Sequence, residues 1–225
     1  MTVIRIRAMV SILVALALTS PPTLAAVVYD GGAPDQGGQI YAEGAASVAM
    51  SFSLAAGSNQ VNSAQWWGGC FPSVTCGPAP DFKLSFFADA SGLPGALIAT
   101  FDVGVANQTA TGASIGPVGG QWNEYVYSAS FATQLFTPGT TYWFGINEAA
   151  AQPSGTWGVE STSSAPSGAS AASIDIFSTT DWTAIPGTLA FNLSYTPASV
   201  PEPGTLGLLL AGLGSLCWAR RRQTC

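Results

Sequence analysis

Three glutamates, Glu124, Glu148 and Glu160, are the residues of this 225-residue chain best suited by type to acid–base chemistry on a sugar. Hydrolysis of a glycosidic bond uses two carboxyl groups roughly 5 to 10 Å apart, one of them with a raised pKa. Glu124, in Trp122-Asn123-Glu124-Tyr125, has the aromatic setting closest to such a site, but no acid is spaced to it along the chain. Histidine is absent from the whole sequence. That removes the commonest general base, the commonest zinc ligand and the middle member of a Ser-His-Asp triad. Gly112-Ala113-Ser114-Ile115-Gly116 matches the pattern G-x-S-x-G, yet nothing is present to activate Ser114 and no helical pattern follows, so the stretch reads as a glycine-rich turn. A body without turnover is therefore expected, with a glycan hydrolase using a pair of acids as the alternative.

Seven tryptophans, six of them ahead of the C-terminal tail, offer a different chemistry. Flat aromatic faces beside small polar side chains hold sugar rings through their apolar C–H faces and hydroxyls. Trp66 and Trp67 are adjacent, so on a strand one faces the core and the other faces away. One of these two, together with Trp122, is the candidate glycan-binding set. Tryptophan among strand aliphatics is also ordinary core filler, which is the reading for Trp143 between Tyr142 and Phe144. Asp89 and Ser91 carry oxygens that suit calcium, but a turn accounts for both, and no metal or cofactor is expected.

Charge is sparse. Between the two terminal segments Lys83 is the single base against eleven acids, a net of −10. One lysine cannot neutralise a phosphate backbone, so nucleic-acid binding is excluded. Four cysteines divide into Cys70 and Cys76 in the body and Cys217 and Cys225 in the tail. In an exported chain the close pair Cys70 and Cys76 closes a small disulfide loop; two thiolates without histidine fall short of a zinc site.

The elements that must position these residues read as β throughout. Runs of strand length, separated by Gly, Pro, Ser, Asn and Asp, lie at Val27 to Tyr29, Val48 to Leu54, Gln60 to Trp67, Phe82 to Asp89 and Ala96 to Val103. They continue at Glu124 to Phe131, Thr140 to Asn147, Thr156 to Glu160, Ile174 to Phe177 and Leu189 to Thr196. Val48, Met50, Phe52 and Leu54 alternate onto one face, as do Leu189, Phe191, Leu193 and Tyr195. Turn chemistry marks Asp89 to Gly95 and Thr137-Pro138-Gly139, while Ser161 to Ser173 reads as a long loop. About ten short antiparallel strands predict a single all-β sandwich of jelly-roll type.

Both ends carry transport features. Residues 1–25 have Arg5 and Arg7, an apolar stretch from Ala8 to Leu18, and small residues at Thr23, Ala25 and Ala26, the parts of a secretory signal peptide cut by signal peptidase. At the other end stand Val200, Pro201, Glu202 and Pro203, an uncharged apolar run from Gly204 to Ala219, and then Arg220, Arg221 and Arg222. As a helix that run rises roughly 24 Å, just enough for a hydrocarbon core of about 30 Å, with the arginines at the cytoplasmic face.

The order Pro-Glu-Pro, short apolar helix and arginine cluster resembles the PEP-CTERM sorting signal of bacterial surface proteins. The resemblance implies that an exosortase, a membrane transpeptidase, recognises Pro201, Glu202 and Pro203 and cuts near them. Such tails are also called ice-binding-protein C-terminal domains, but the body lacks the regular threonine ladder of ice-binding surfaces. The body resembles a β-sandwich module of other sorted surface proteins through Gln65-Trp66-Trp67-Gly68-Gly69, Asp81 to Asp89 and Thr141 to Phe144, which implies a fold and no reaction. The organisation expected is a signal peptide over 1–25, a sandwich over 26–198 and a sorting and anchor segment over 199–225. The resulting expectation is an exported surface or matrix protein, anchored by its C-terminal helix before processing and associated with exopolysaccharide.

Overall fold

The structure is a computed structural model and describes residues 24–36, 38–72, 76, 79–116, 122–149, 156–163, 168–173 and 181–198. The signal-peptide segment, the strand expected at Ile174 to Phe177 and the sorting tail lie outside them. Ala25–Thr196 forms one compact unit.

Fourteen strands follow one another, with no helix among the described residues. They are β1 (Ala26–Asp30), β2 (Gln39–Tyr41), β3 (Ser47–Phe52), β4 (Gln60–Phe71), β5 (Asp81–Asp89), β6 (Pro94–Val105) and β7 (Asn107–Ile115). The second half has β8 (Trp122–Leu135), β9 (Tyr142–Glu148), β10 (Thr156–Thr162), β11 (Ser170–Ser173), β12 (Thr183–Ile185), β13 (Thr188–Leu189) and β14 (Phe191–Tyr195). All named pairings are antiparallel. An eight-stranded sheet is built on β1-β14-β4-β10-β13, with β8 on β4, β7 on β8 and β2 on β10. The six-stranded sheet runs β12-β11-β3-β9-β5-β6.

One apolar core takes side chains from both sheets, so their inner faces pack on each other. Val48, Met50, Phe52 and Leu54 point into it, as do Leu189, Phe191 and Leu193. Its aromatic centre is Phe82, with ring centroids 5.0 Å from Trp66 and Tyr127 and 4.8 Å from Trp157, all edge-on. Each such contact adds about 0.5–1.5 kcal/mol beyond the burial itself. A second, small cluster of Ala49, Phe87, Trp143, Ala171 and Trp182 covers the outer face of the six-stranded sheet. It forms because Trp143 and Phe87 alternate away from Phe144 and Phe86.

Cys70 and Cys76 are joined in a disulfide, as the sequence predicts. The two marked turns form: Ala90 N donates to the Leu93 carbonyl at 2.8 Å around Ser91 and Gly92, both at positive φ, and Thr140 N donates to the Thr137 carbonyl at 3.2 Å. Two readings need correction. Gly112 to Ile115 belongs to β7, where an irregular register between Ala110 and Ser114 and a φ of 81° at Gly112 make a bulged strand where a turn was expected. Ser161 to Ser173 is not one long loop, since its ends are strand in β10 and β11. Small residues supply no periodic signal there; Ala171 and Ser173 are placed by pairing with β3.

Candidate functional site

Strand alternation creates the candidate site on the outer face of the eight-stranded sheet. β4 runs between β8 and β10. Tyr125 and Tyr127 on β8, and Trp157 and Val159 on β10, face the core. Glu124 and Glu160, one residue out of phase with them, must face outward. Their carboxyl groups approach one another across β4, close enough for Glu124 to raise the Glu160 pKa. Gly69 on the strand between them leaves no room for a side chain: a Cβ there would stand 2.6 Å from the Asn123 carbonyl oxygen and 3.2 Å from Ile115 Cδ1.

The pair is closed off. Glu124 is 3% exposed and Glu160 fully buried. Gln36 N donates to Glu160 Oε1 at 2.7 Å, while Oε2 of each glutamate has no hydrogen-bond partner among the described residues. Burial is the main cause that raises the Glu160 pKa from 4.5 to about 8. Glu124 adds to the rise, the charge of Asp35 adds less, and the Gln36 amide opposes it. The partner that linear spacing did not give Glu124 is thus Glu160, brought to it by two pairings with β4. Glu148 is elsewhere, on β9 of the other sheet, where its Oε1 accepts from Asp81 N at 3.3 Å.

Beside the acids the same outer face carries aromatic rings. Phe71 packs edge-on against Trp122, with centroids 4.6 Å apart and planes at 83°, and lies 6.0 Å from Tyr41 at a tilt of 46°. Tyr41 is 46% exposed, and Phe71 and Trp122 are half-buried, so the three form a shelf open to solvent. Trp67, four residues before Phe71 on β4, is half-buried on the same face.

Trp66 is the member of the candidate set that must be withdrawn. It has no exposed surface, stacks on Tyr127 with centroids 6.0 Å apart, and presents no face to a ligand. Tyr41 and Phe71, which sequence reasoning missed, take its place; their only signal was an aromatic type at a strand end. Asp89 serves its turn: Oδ1 accepts from Trp143 Nε1 at 2.8 Å and Oδ2 from Gly92 N at 3.2 Å. Among the described residues no group of three or more acids or cysteines is placed to hold a metal ion.

The tail supplies what the body does not. Residues 199–223 match the PEP-CTERM protein-sorting motif. The match takes in Val200, Pro201, Glu202, Pro203 and the arginines Arg220, Arg221 and Arg222, and it implies export and sorting by an exosortase. No curated protein matches the chain. Among solved structures, one similar to it holds the cysteine protease and lectin-like domains of a surface layer associated protein of Clostridium difficile. The TM-score is 0.42 at 10% identity, over 68% of this chain and 32% of that one. This chain thus spans about a third of that protein's length. No helix of the described residues is long and apolar enough to cross a membrane, and the apolar run of the tail lies outside those residues.

Proposed function

We propose that this chain is a surface or extracellular-matrix protein whose body, a sandwich of jelly-roll type, holds exopolysaccharide without catalysis. Signal peptidase removes residues 1–25; the C-terminal helix then anchors the chain until an exosortase processes the tail. The shelf of Tyr41, Phe71 and Trp122 is the observation that carries the polysaccharide reading. Rings on an outer sheet face stack on the C–H faces of sugars, and a body with one lysine has little other means of holding a polymer. Trp67 extends the same face.

The hydrolase alternative has its two acids in Glu124 and Glu160. A catalytic pair must touch the glycosidic oxygen and a water. These two are buried, and Glu160 already accepts from the Gln36 amide, so we read them as structural.

Retention of the full-length protein in an affinity gel cast with the host's own exopolysaccharide tests the reading. Wild type is retarded, and Tyr41→Ala combined with Trp122→Ala migrates freely. Equal retardation of the double variant sinks the shelf as a binding surface. Reducing-sugar release that disappears in Glu124→Gln would establish the hydrolase instead. For the tail, deletion of residues 201–203 leaves a full-length mass in the inner membrane, where wild type yields a shortened chain at the surface.

A further inference from the structure

The shape of the aromatic shelf narrows the kind of polysaccharide it can hold. Tyr41, Phe71 and Trp122 stand on β2, β4 and β8, so a sugar chain lying on all three crosses strands of the eight-stranded sheet. Phe71 meets the plane of Tyr41 at 46° and that of Trp122 at 83°. Two planes that meet a third at such different angles cannot be parallel, so no two of the three rings are coplanar. A crystalline glycan presents many sugars in one flat face, and only rings lying in one plane match it. Rings whose planes turn from strand to strand each stack on one sugar, along a single chain that turns with them.

The turned arrangement is fixed before any ligand arrives. A Cβ on Gly116, which lies at a φ of 98°, would run into the six-membered ring of Trp122, and Phe71 closes another side of that ring edge-on. A ring so held loses little freedom on binding, which removes one of the usual costs of association. Charge narrows the class further. Lys83, the single base between the terminal segments, belongs to β5 of the six-stranded sheet, so the sheet that bears the shelf has no base among its strands. A polymer carrying carboxylates or sulfates finds no counter-charge there and is repelled by a body of net −10.

We propose that the shelf takes a neutral polysaccharide as a single hydrated chain, and rejects both acidic polymers and crystalline glycan faces. The proposal rests on the polysaccharide reading of the shelf and adds the chemical class of its ligand. Neutrality comes from the absence of bases, and the single chain comes from the angles between the rings.

The host's exopolysaccharide is separated by anion exchange into neutral and acidic fractions, and each is cast in a native gel with nonionic detergent and no divalent cation to bridge acids. Full-length protein is run in both. The readout is the part of the retardation that Tyr41→Ala combined with Trp122→Ala removes, which subtracts any pull of the tail's arginines on an acidic polymer. The neutral fraction gives such retardation and the acidic fraction gives none. With the neutral fraction it is unchanged between about 0.05 and 0.5 M salt, because no charge pair is being screened. Tyr41→Ala alone weakens it about fivefold; that ring is 46% exposed, so this variant decides the matter if Trp122→Ala does not fold. Shelf-dependent retardation in the acidic fraction equal to or above that in the neutral one overturns the neutral class and leaves the shelf as a binding surface. Shelf-dependent sedimentation with microcrystalline cellulose or chitin overturns the single chain in the same way. Retardation that depends on the shelf in neither fraction removes the polysaccharide reading itself, and the proposal with it.

Discussion

Replacing Glu160 by glutamine should abolish a specific dependence of stability on pH. In the folded chain the Glu160 pKa is raised from 4.5 to about 8, chiefly by burial and then by Glu124. A group whose pKa rises on folding contributes stability that is fully present below its unfolded value. That stability is lost as pH climbs through the folded value, so the window here runs from about pH 4.5 to 8. At about 1.4 kcal/mol per pH unit the loss has an upper bound near 5 kcal/mol. Asp35 and Gln36 are exposed to solvent at the edge of the pair, so screening reduces it to on the order of 3 kcal/mol. Against a typical total of 5–15 kcal/mol for a domain this is a large fraction. Glutamine at 160 keeps the oxygen that accepts from Gln36 N, but it carries no titrating proton. Urea unfolding of both forms between pH 5 and 9 measures the difference: the variant gains on wild type steadily as pH rises. A difference independent of pH would refute burial as the cause of the raised Glu160 pKa.

Three further outcomes follow from the packing. Reducing the Cys70–Cys76 bridge, or substituting both cysteines by serine, lowers unfolding free energy by about 2 kcal/mol, read from denaturant midpoints with and without reductant. Trp66→Ala costs about 3–5 kcal/mol because the ring is wholly buried, whereas loss of the half-buried Trp122 ring costs clearly less; thermal melts of the two variants compare them directly. Asp89→Ala leaves the buried Trp143 indole N–H without its acceptor and lowers stability by about 1.5–3 kcal/mol, detectable by the same melts and by a shift in tryptophan emission.

Much of this protein is local information. Alternation of Val48, Met50, Phe52 and Leu54 names a core face because side chains on a strand have period two, whatever the strand later pairs with. The disulfide follows from a short separation in an exported chain, and the sorting tail is a linear signal whose parts act in order along the chain. Absent histidine and scarce bases limit the chemistry before any folding. The site is another matter. Which of Trp66 and Trp67 faces inward depends on the phase of β4 against both sheets, and adjacency alone left it open. Glu124 and Glu160 are 36 residues apart, and their meeting required β8 and β10 to flank the same strand, β4. Tyr41 joined Phe71 and Trp122 only because β2 pairs with β10. Strand phase is written in each segment, but strand neighbours are chosen by the free energy of the whole core, so tertiary structure alone decided which side chains share a surface.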